Sequence, residues 1–442
     1  MIAIIGAGPT GLAAAAHLRA RGLRPLVLEA GPRIGHSVLA WGHVRMFSPW
    51  RYNIDAAART LLERQGWAAP DPEAYPTGAD LVAQYLAPLA QVLAADIRLS
   101  AKVVGVARRD LGRLRDAADR DATPFVVQVE TRGGVEEIEA SAVIDCSGTW
   151  SSPNPAGAHG LPAPGEAALA GRIATGIPDV LGTDRATYQG RATLVVGTGH
   201  SAMNAVLDLA ALGDGTRILW AFRRPLGAVS FGGGARDGLA ARGSLGARAQ
   251  VLVESGAVTA LAPFRLDRIA EENGALAVTG RQDGRATTVR VDRMIVATGF
   301  RPDLSFLREV RLGLDPAVEA TPALAPLIDP NLHSCGTVRP HGEAELRHPE
   351  TRFYIAGMKS YGRAPTFLMA TGHEQVRSIA AFLAGDTAAA RRVELVLPET
   401  GVCSTDLVPE AASACCTPAT PQGICCAPKP QLAPAASCCG PR

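Results

Sequence analysis

The sequence predicts an α/β protein with two parallel-sheet nucleotide folds, the second inserted into the first, and a disordered tail. Three observations carry that reading. A glycine turn sits between strand and helix patterns at 2–29, and a second copy of the same order occupies 192–222. The composition then changes after residue 397. The chain's 442 residues suit two or three domains at roughly 100–200 residues each.

The elements follow in order. Residues 2–5 are a short apolar run, read as a buried strand. Gly6, Gly8 and Gly11 form GxGxxG, a helix follows over 12–21 and stops at Gly22, and a strand follows over 25–29. The first glycine permits a tight turn, the second lets backbone approach a pyrophosphate, and the third lets helix and strand pack closely. Glu29 ends the next strand, where a carboxylate binds ribose hydroxyls. This is the opening of a Rossmann-like dinucleotide-binding fold. The apolar start lacks a positive n-region, so it reads as a strand and not a signal peptide.

A hairpin over 125–139 turns at Gly133-Gly134 and leads into a strand over 142–146 and the small turn 147–149, with Gly148 at its centre. A strand over 194–196 then opens the second copy, with Gly197, Gly199 and Ala202 as GxGxxA, Ser201 in its turn, and a helix over 203–212. The strand after it, 217–222, ends in Arg223 and Arg224 where the first copy has Glu29. Arginine pairs with a 2′-phosphate that a carboxylate would repel, so this copy is assigned NADPH. A second hairpin, 276–291, turns at Asp283-Gly284 and leads into a strand and the turn at Gly299. The expected domains are 1–155 (first part of the first fold), 156–290 (NADPH fold), 291–397 (second part of the first fold) and 398–442 (tail).

Composition narrows the rest. A net charge of +2 provides no field for nucleic acid or anionic membrane, and no apolar run is long enough to span a bilayer, so the expected compartment is the cytoplasm. Arginine supplies the positive charge almost alone; Lys102, Lys359 and Lys429 are the only lysines. Of nine cysteines, Cys146 and Cys335 are scattered and lack a partner at CxxC or CxxxxC spacing. Cys146 reads as a core thiol. The other seven, Cys403, Cys415, Cys416, Cys425, Cys426, Cys438 and Cys439, crowd a tail with eight prolines and no apolar periodicity. Vicinal thiols suit a soft ion such as trivalent arsenic, antimony, Cu(I) or Hg(II) better than zinc. His333, Cys335, His341 and His348 form a looser soft-ligand set that matches no defined metal spacing.

These motifs resemble the two-dinucleotide-binding-domain flavoproteins, in particular the flavin-dependent monooxygenase-like group and the flavoproteins encoded beside arsenic-resistance genes. The matching pieces are Gly6 to Gly11, Tyr75-Pro-Thr before a helix at Asp80, Ser147-Gly-Thr-Trp150, Gly197 to Ala202, Ala297-Thr-Gly-Phe300 and the stretch 357–372. The resemblance implies FAD on the first fold, contacted near Gly357 to Thr366, with a helix starting about Thr366 facing the flavin. Phe47 and Trp50 are candidates for flavin-side packing, and Arg363 for an anion contact. Met358 stands where the group usually has an aspartate, and no histidine occurs in 171–176.

The implied chemistry is that of an NADPH-dependent FAD oxidoreductase of monooxygenase type. It would use molecular oxygen on a small thiophilic substrate such as arsenite or an organoarsenical, with the tail thiols as substrate handles. Its catalytic residues are unassigned. Two alternatives stay open: a reductase of a thiol-bound metal, resembling mercuric reductase, and a non-catalytic thiophilic-ion binding protein.

Overall fold

In the computed structural model each glycine turn ends the middle strand of its own five-stranded parallel sheet. The structure describes residues 1–213, 215–227, 231–232, 237, 239–332, 339–364 and 368–395. All of these fall in one unit, Met1–Thr405. The seven tail cysteines therefore lie outside the described residues, as do His333, Cys335 and Thr366.

The first sheet runs Phe353–Ile355, Ala142–Asp145, Ile2–Ile5, Pro25–Leu28, Ile97–Arg98, every neighbour parallel. Its three inner strands are apolar almost throughout because helices and a small sheet cover both faces. The helix Pro9–Ala20 begins three residues earlier than the apolar pattern implied, since proline's fixed φ suits a first helical turn. Ala13, Ala14, Ala15 and Ala16 are wholly buried, and their small side chains admit the helix Met369–Leu383 against this helix.

The second sheet runs Val258–Leu261, Arg217–Ala221, Ala192–Val196, Arg293–Val296, Ile173–Thr175, again all parallel. Its helix, His200–Ala211, also starts three residues earlier than expected. The strand Arg293–Val296 pairs with Ala192–Val196. This corrects the expected boundary at 290/291: the second module keeps its closing strand, whose register buries Met294, Ile295 and Val296 there.

Both expected hairpins gain a third strand. Lys102–Arg108, Phe125–Thr131 and Gly134–Ala140 form one antiparallel sheet; Phe264–Glu272, Ala275–Gln282 and Arg285–Val291 form the other. At the second turn Asp283 (φ 49°) and Gly284 (φ 78°) both take left-handed backbone, the geometry of a two-residue type I′ hairpin.

The chain crosses between modules twice, and the crossings are zipped together. Asn154 N–H donates to the Gly299 carbonyl and Arg301 N–H to the Ser152 carbonyl, both at 2.9 Å. Trp150 and Phe300 stack across the pair, ring centroids 4.8 Å apart. These aromatics follow the two small-residue turns that the internal repeat relates, so the repeat closes on itself at the junction.

Candidate active site

In the first turn only the second glycine faces open space. A Cβ on Gly6 (φ 98°) would stand 2.9 Å from the Cys146 carbonyl oxygen, and one on Gly11 1.9 Å from the Gly6 carbonyl oxygen. A Cβ on Gly8 would meet nothing within 4 Å. The turn is therefore packed where strand and helix touch and open beside the helix N-terminus, the geometry that suits a phosphate. Glu29 is buried, and its carboxylate accepts the Ala7 and Gly31 N–H groups at 2.7 Å each. Those bonds aim it at the turn.

The second turn repeats the design. A Cβ on Gly197 (φ 126°) would lie 2.3 Å from the Ala297 carbonyl oxygen, whereas one on Gly199 would meet nothing within 4 Å. Trp220 Nε1 donates to the Gly197 carbonyl at 2.7 Å and fixes the turn from below. Ala202 is wholly buried and Ser201 sits half-buried in the first helical turn. Arg223 and Arg224 are exposed at the end of the next strand, with Arg223 Nη1 donating to the Ala158 carbonyl.

Gly148 takes φ 69° with open space beside it, and Gly299 takes φ 88° near Asn154. Gly357 takes φ 73°, and a Cβ there would stand 2.8 Å from Thr10 Oγ1. The segment 357–361 thus lies directly over the first helix.

Trp50 is a correction. Its N–H donates to the Ala74 carbonyl, the chain turns into the 3₁₀ segment Trp50–Tyr52, and the indole enters the core at 3% exposure. So placed, it has no free face for a cofactor. Phe47 instead packs on His200, the first residue of the second module's helix, with centroids 5.4 Å apart. Arg363 is exposed and its N–H donates to the Val318 carbonyl.

His341 is a core residue. Its Nε2 bonds the Gln375 amide at 2.8 Å, and Gln375 also donates to Ser360 Oγ and accepts the Gly357 N–H. His348 Nδ1 meets the Gly313 backbone, and its buried Nε2 has no partner. Among the described residues no group of three or more His, Cys, Asp or Glu is placed to hold a metal. Cys146 is buried, and that burial pushes its thiol well above the usual range, so it is inert.

The buried histidines give a pH prediction. Burial pushes His348 down to about 4, and burial with the Arg242 charge does the same to His200. In the unfolded chain both titrate near ~6.5. The unfolded state therefore binds more protons between these values, and stability present above pH ~6.5 is lost as pH falls toward 4. Melting temperature measured from pH 8 to 4 is expected to hold on the neutral side and fall below about 6.5.

Sequence reasoning missed a buried charge pair at the C-terminal end of an inner strand. Lys359 Nζ donates to Asp145 Oδ2 at 2.7 Å, with both side chains at 0% exposure. Its signal was present, since this is one of only three lysines.

Two open glycine cradles, one backed by an acid and one by arginines, define a protein that binds two dinucleotides. The chain belongs to the pyridine nucleotide-disulphide oxidoreductase family, whose pattern matches residues 3–329. It is an enzyme, an FAD- and NAD(P)H-dependent oxidoreductase. Similar solved structures include the bacillithiol disulfide reductase Bdr (YpdA) from Bacillus cereus, 21% identical with a TM-score of 0.65, covering 87% of this chain and 98% of that one. The cadaverine monooxygenase DfoA from Erwinia amylovora, bound to FAD, is 14% identical with a TM-score of 0.60, covering 90% and 97%. A flavin monooxygenase from Stenotrophomonas maltophilia is 20% identical with a TM-score of 0.55, covering 87% and 98%. At these identities the likeness is one of fold. No curated protein sequence matches the chain. No helix among the described residues is long and apolar enough to cross a membrane.

Proposed function

We propose that the chain is an NADPH-dependent flavin monooxygenase-type enzyme acting on trivalent arsenic or another thiophilic metalloid. FAD is assigned to Gly6, Gly8, Gly11 and Glu29, with Gly148 and the 357–366 segment alongside. NADPH is assigned to Gly197, Gly199, Ser201, Arg223 and Arg224. Bound flavin supplies the electron-transfer and oxygen chemistry. The chain's part is to hold the phosphates on two helix N-termini, orient ribose through Glu29 and exclude bulk water.

The observation that carries the monooxygenase reading is Cys146. It is the only cysteine among the described residues, and its thiol is buried. No second thiol stands beside it among the described residues, so within them the flavin has no resident dithiol to reduce, and the reading takes a diffusible acceptor. Overall, NADPH, a proton, oxygen and the trivalent species enter; one oxygen atom goes to arsenic and the other leaves as water. Cys403, Cys415, Cys416, Cys425, Cys426, Cys438 and Cys439 would capture the soft ion and raise its effective concentration at the site.

The family's disulphide chemistry favours a second reading, an NADPH-dependent reductase of a disulfide or a thiol-bound metal. NADPH consumption followed with oxygen uptake, with and without arsenite or a methylated trivalent arsenical, separates the two. Arsenical-dependent oxygen uptake is the expected result. Substrate-dependent NADPH oxidation that persists without oxygen supports the reductase. Truncation after Leu397 is expected to raise KM for the arsenical at least several-fold with kcat kept; an unchanged KM refutes the capture role.

A further inference from the structure

Lys359 is the one lysine that this arginine-dependent chain buries in its described core. It belongs to the 3₁₀ segment Gly357–Tyr361 and reaches the C-terminal end of the strand Ala142–Asp145. Its ammonium bonds Asp145 Oδ2 at 2.7 Å and Ser147 Oγ at 3.1 Å, and lies 4.5 Å from the centre of the Phe306 ring. Two of its N–H groups thus have oxygen acceptors and the charge rests on a ring face, whereas a guanidinium brings five N–H donors that need acceptors.

Asp145 passes the constraint outward. Its Oδ1 accepts both the N–H of Ser147 at 3.0 Å and the hydroxyl at 2.6 Å. Lys359 and Asp145 are wholly buried, whereas Ser147 is exposed and Gly148 beside it has open space at φ 69°. The exposed end lies in the crevice between the strands Ile2–Ile5 and Ala142–Asp145. There the sheet order reverses, and open α/β sheets bind ligands at such a point. A second buried network, Gln375 with His341 and Ser360, pins Gly357 at the start of the same segment. Two hydrogen-bonded polar networks converge on a five-residue turn, an arrangement that fixes geometry at a binding site.

We propose that Lys359 is a positioning residue for the flavin: through Asp145 it sets the orientation of Ser147 and Gly148, and Ser147 Oγ contacts the bound cofactor. The proposal rests on the assignment of FAD to the first glycine turn. It is tested in the full-length chain by FAD affinity from flavin fluorescence, by visible circular dichroism of bound flavin, and by flavin midpoint potential. Lys359→Met alone leaves a buried carboxylate unpaired, so the informative variant is Asp145→Asn with Lys359→Met, which removes both charges. It is expected to fold, to bind FAD at least tenfold more weakly, and to change the flavin dichroism and potential. Ser147→Ala leaves the ion pair in place and is expected to weaken FAD at least threefold. Lys359→Arg is not expected to restore native binding. Native affinity and dichroism in the double variant overturn the proposal, and if that variant does not fold, native affinity in Ser147→Ala overturns it. Gly8→Val separates this from failure of the site assignment, because its side chain enters only the empty cradle. If Gly8→Val keeps FAD, the assignment fails; if it loses FAD while the other variants keep it, the positioning role fails.

Discussion

Gly11→Ala is expected to yield a protein that melts lower and purifies without flavin. The new methyl would stand 1.9 Å from the Gly6 carbonyl oxygen, and both groups belong to backbone that cannot swing aside. The helix Pro9–Ala20 must therefore lift off the strand Ile2–Ile5. Overpacking of this kind costs about 3 kcal/mol, or roughly 5 °C or more in melting temperature. The effect on FAD exceeds the effect on stability, because lifting the helix withdraws its N-terminal amides from the phosphates. Flavin absorbance per protein and a melting curve check both. Gly8→Ala is the contrast: the apo melting temperature should hold, since its Cβ meets nothing within 4 Å.

Arg223→Ala is expected to raise KM for NADPH roughly 10- to 100-fold with a much smaller change for NADH. A charge-assisted bond to a 2′-phosphate contributes about 1.5–3 kcal/mol, and NADH has no group to lose it. The Ala158 carbonyl already holds one arm of Arg223, so the side chain is partly ordered before any ligand arrives. Steady-state kinetics with both nucleotides tests it. Equal use of NADH and NADPH by the parent protein would defeat the assignment.

The parallel sheets and both glycine turns were legible because each rests on local chemistry. A glycine is needed where no Cβ fits, and apolar runs mark strands covered on two faces. The misread positions depend on distant chain. Arg293–Val296 looked like a return to the first module because its hairpin copies the one before Ala142–Asp145, and only pairing with Ala192–Val196 decides the matter. Trp50 sits in a sequence context that looks like a flavin contact, but one backbone bond to Ala74 turns it into the core. The Lys359–Asp145 pair spans 214 positions, so no periodicity announces it. The two histidines His341 and His348 looked like soft ligands because burial cannot be read from a loop without its cover.

The zipped crossings at 152–154 and 299–301 bear on how the chain reaches its fold. The strand Phe353–Ile355 must find Ala142–Asp145 across about 200 residues of intervening chain, a contact that is slow to form when the loop is open. Once the inserted module has folded, its ends lie one hydrogen bond apart. The effective loop shrinks from about 208 to about 60 residues, which lowers the closure cost by roughly 1 kcal/mol. The topology thereby favours an order in which the inserted module forms first, and its completion brings the last strand of the outer sheet closer.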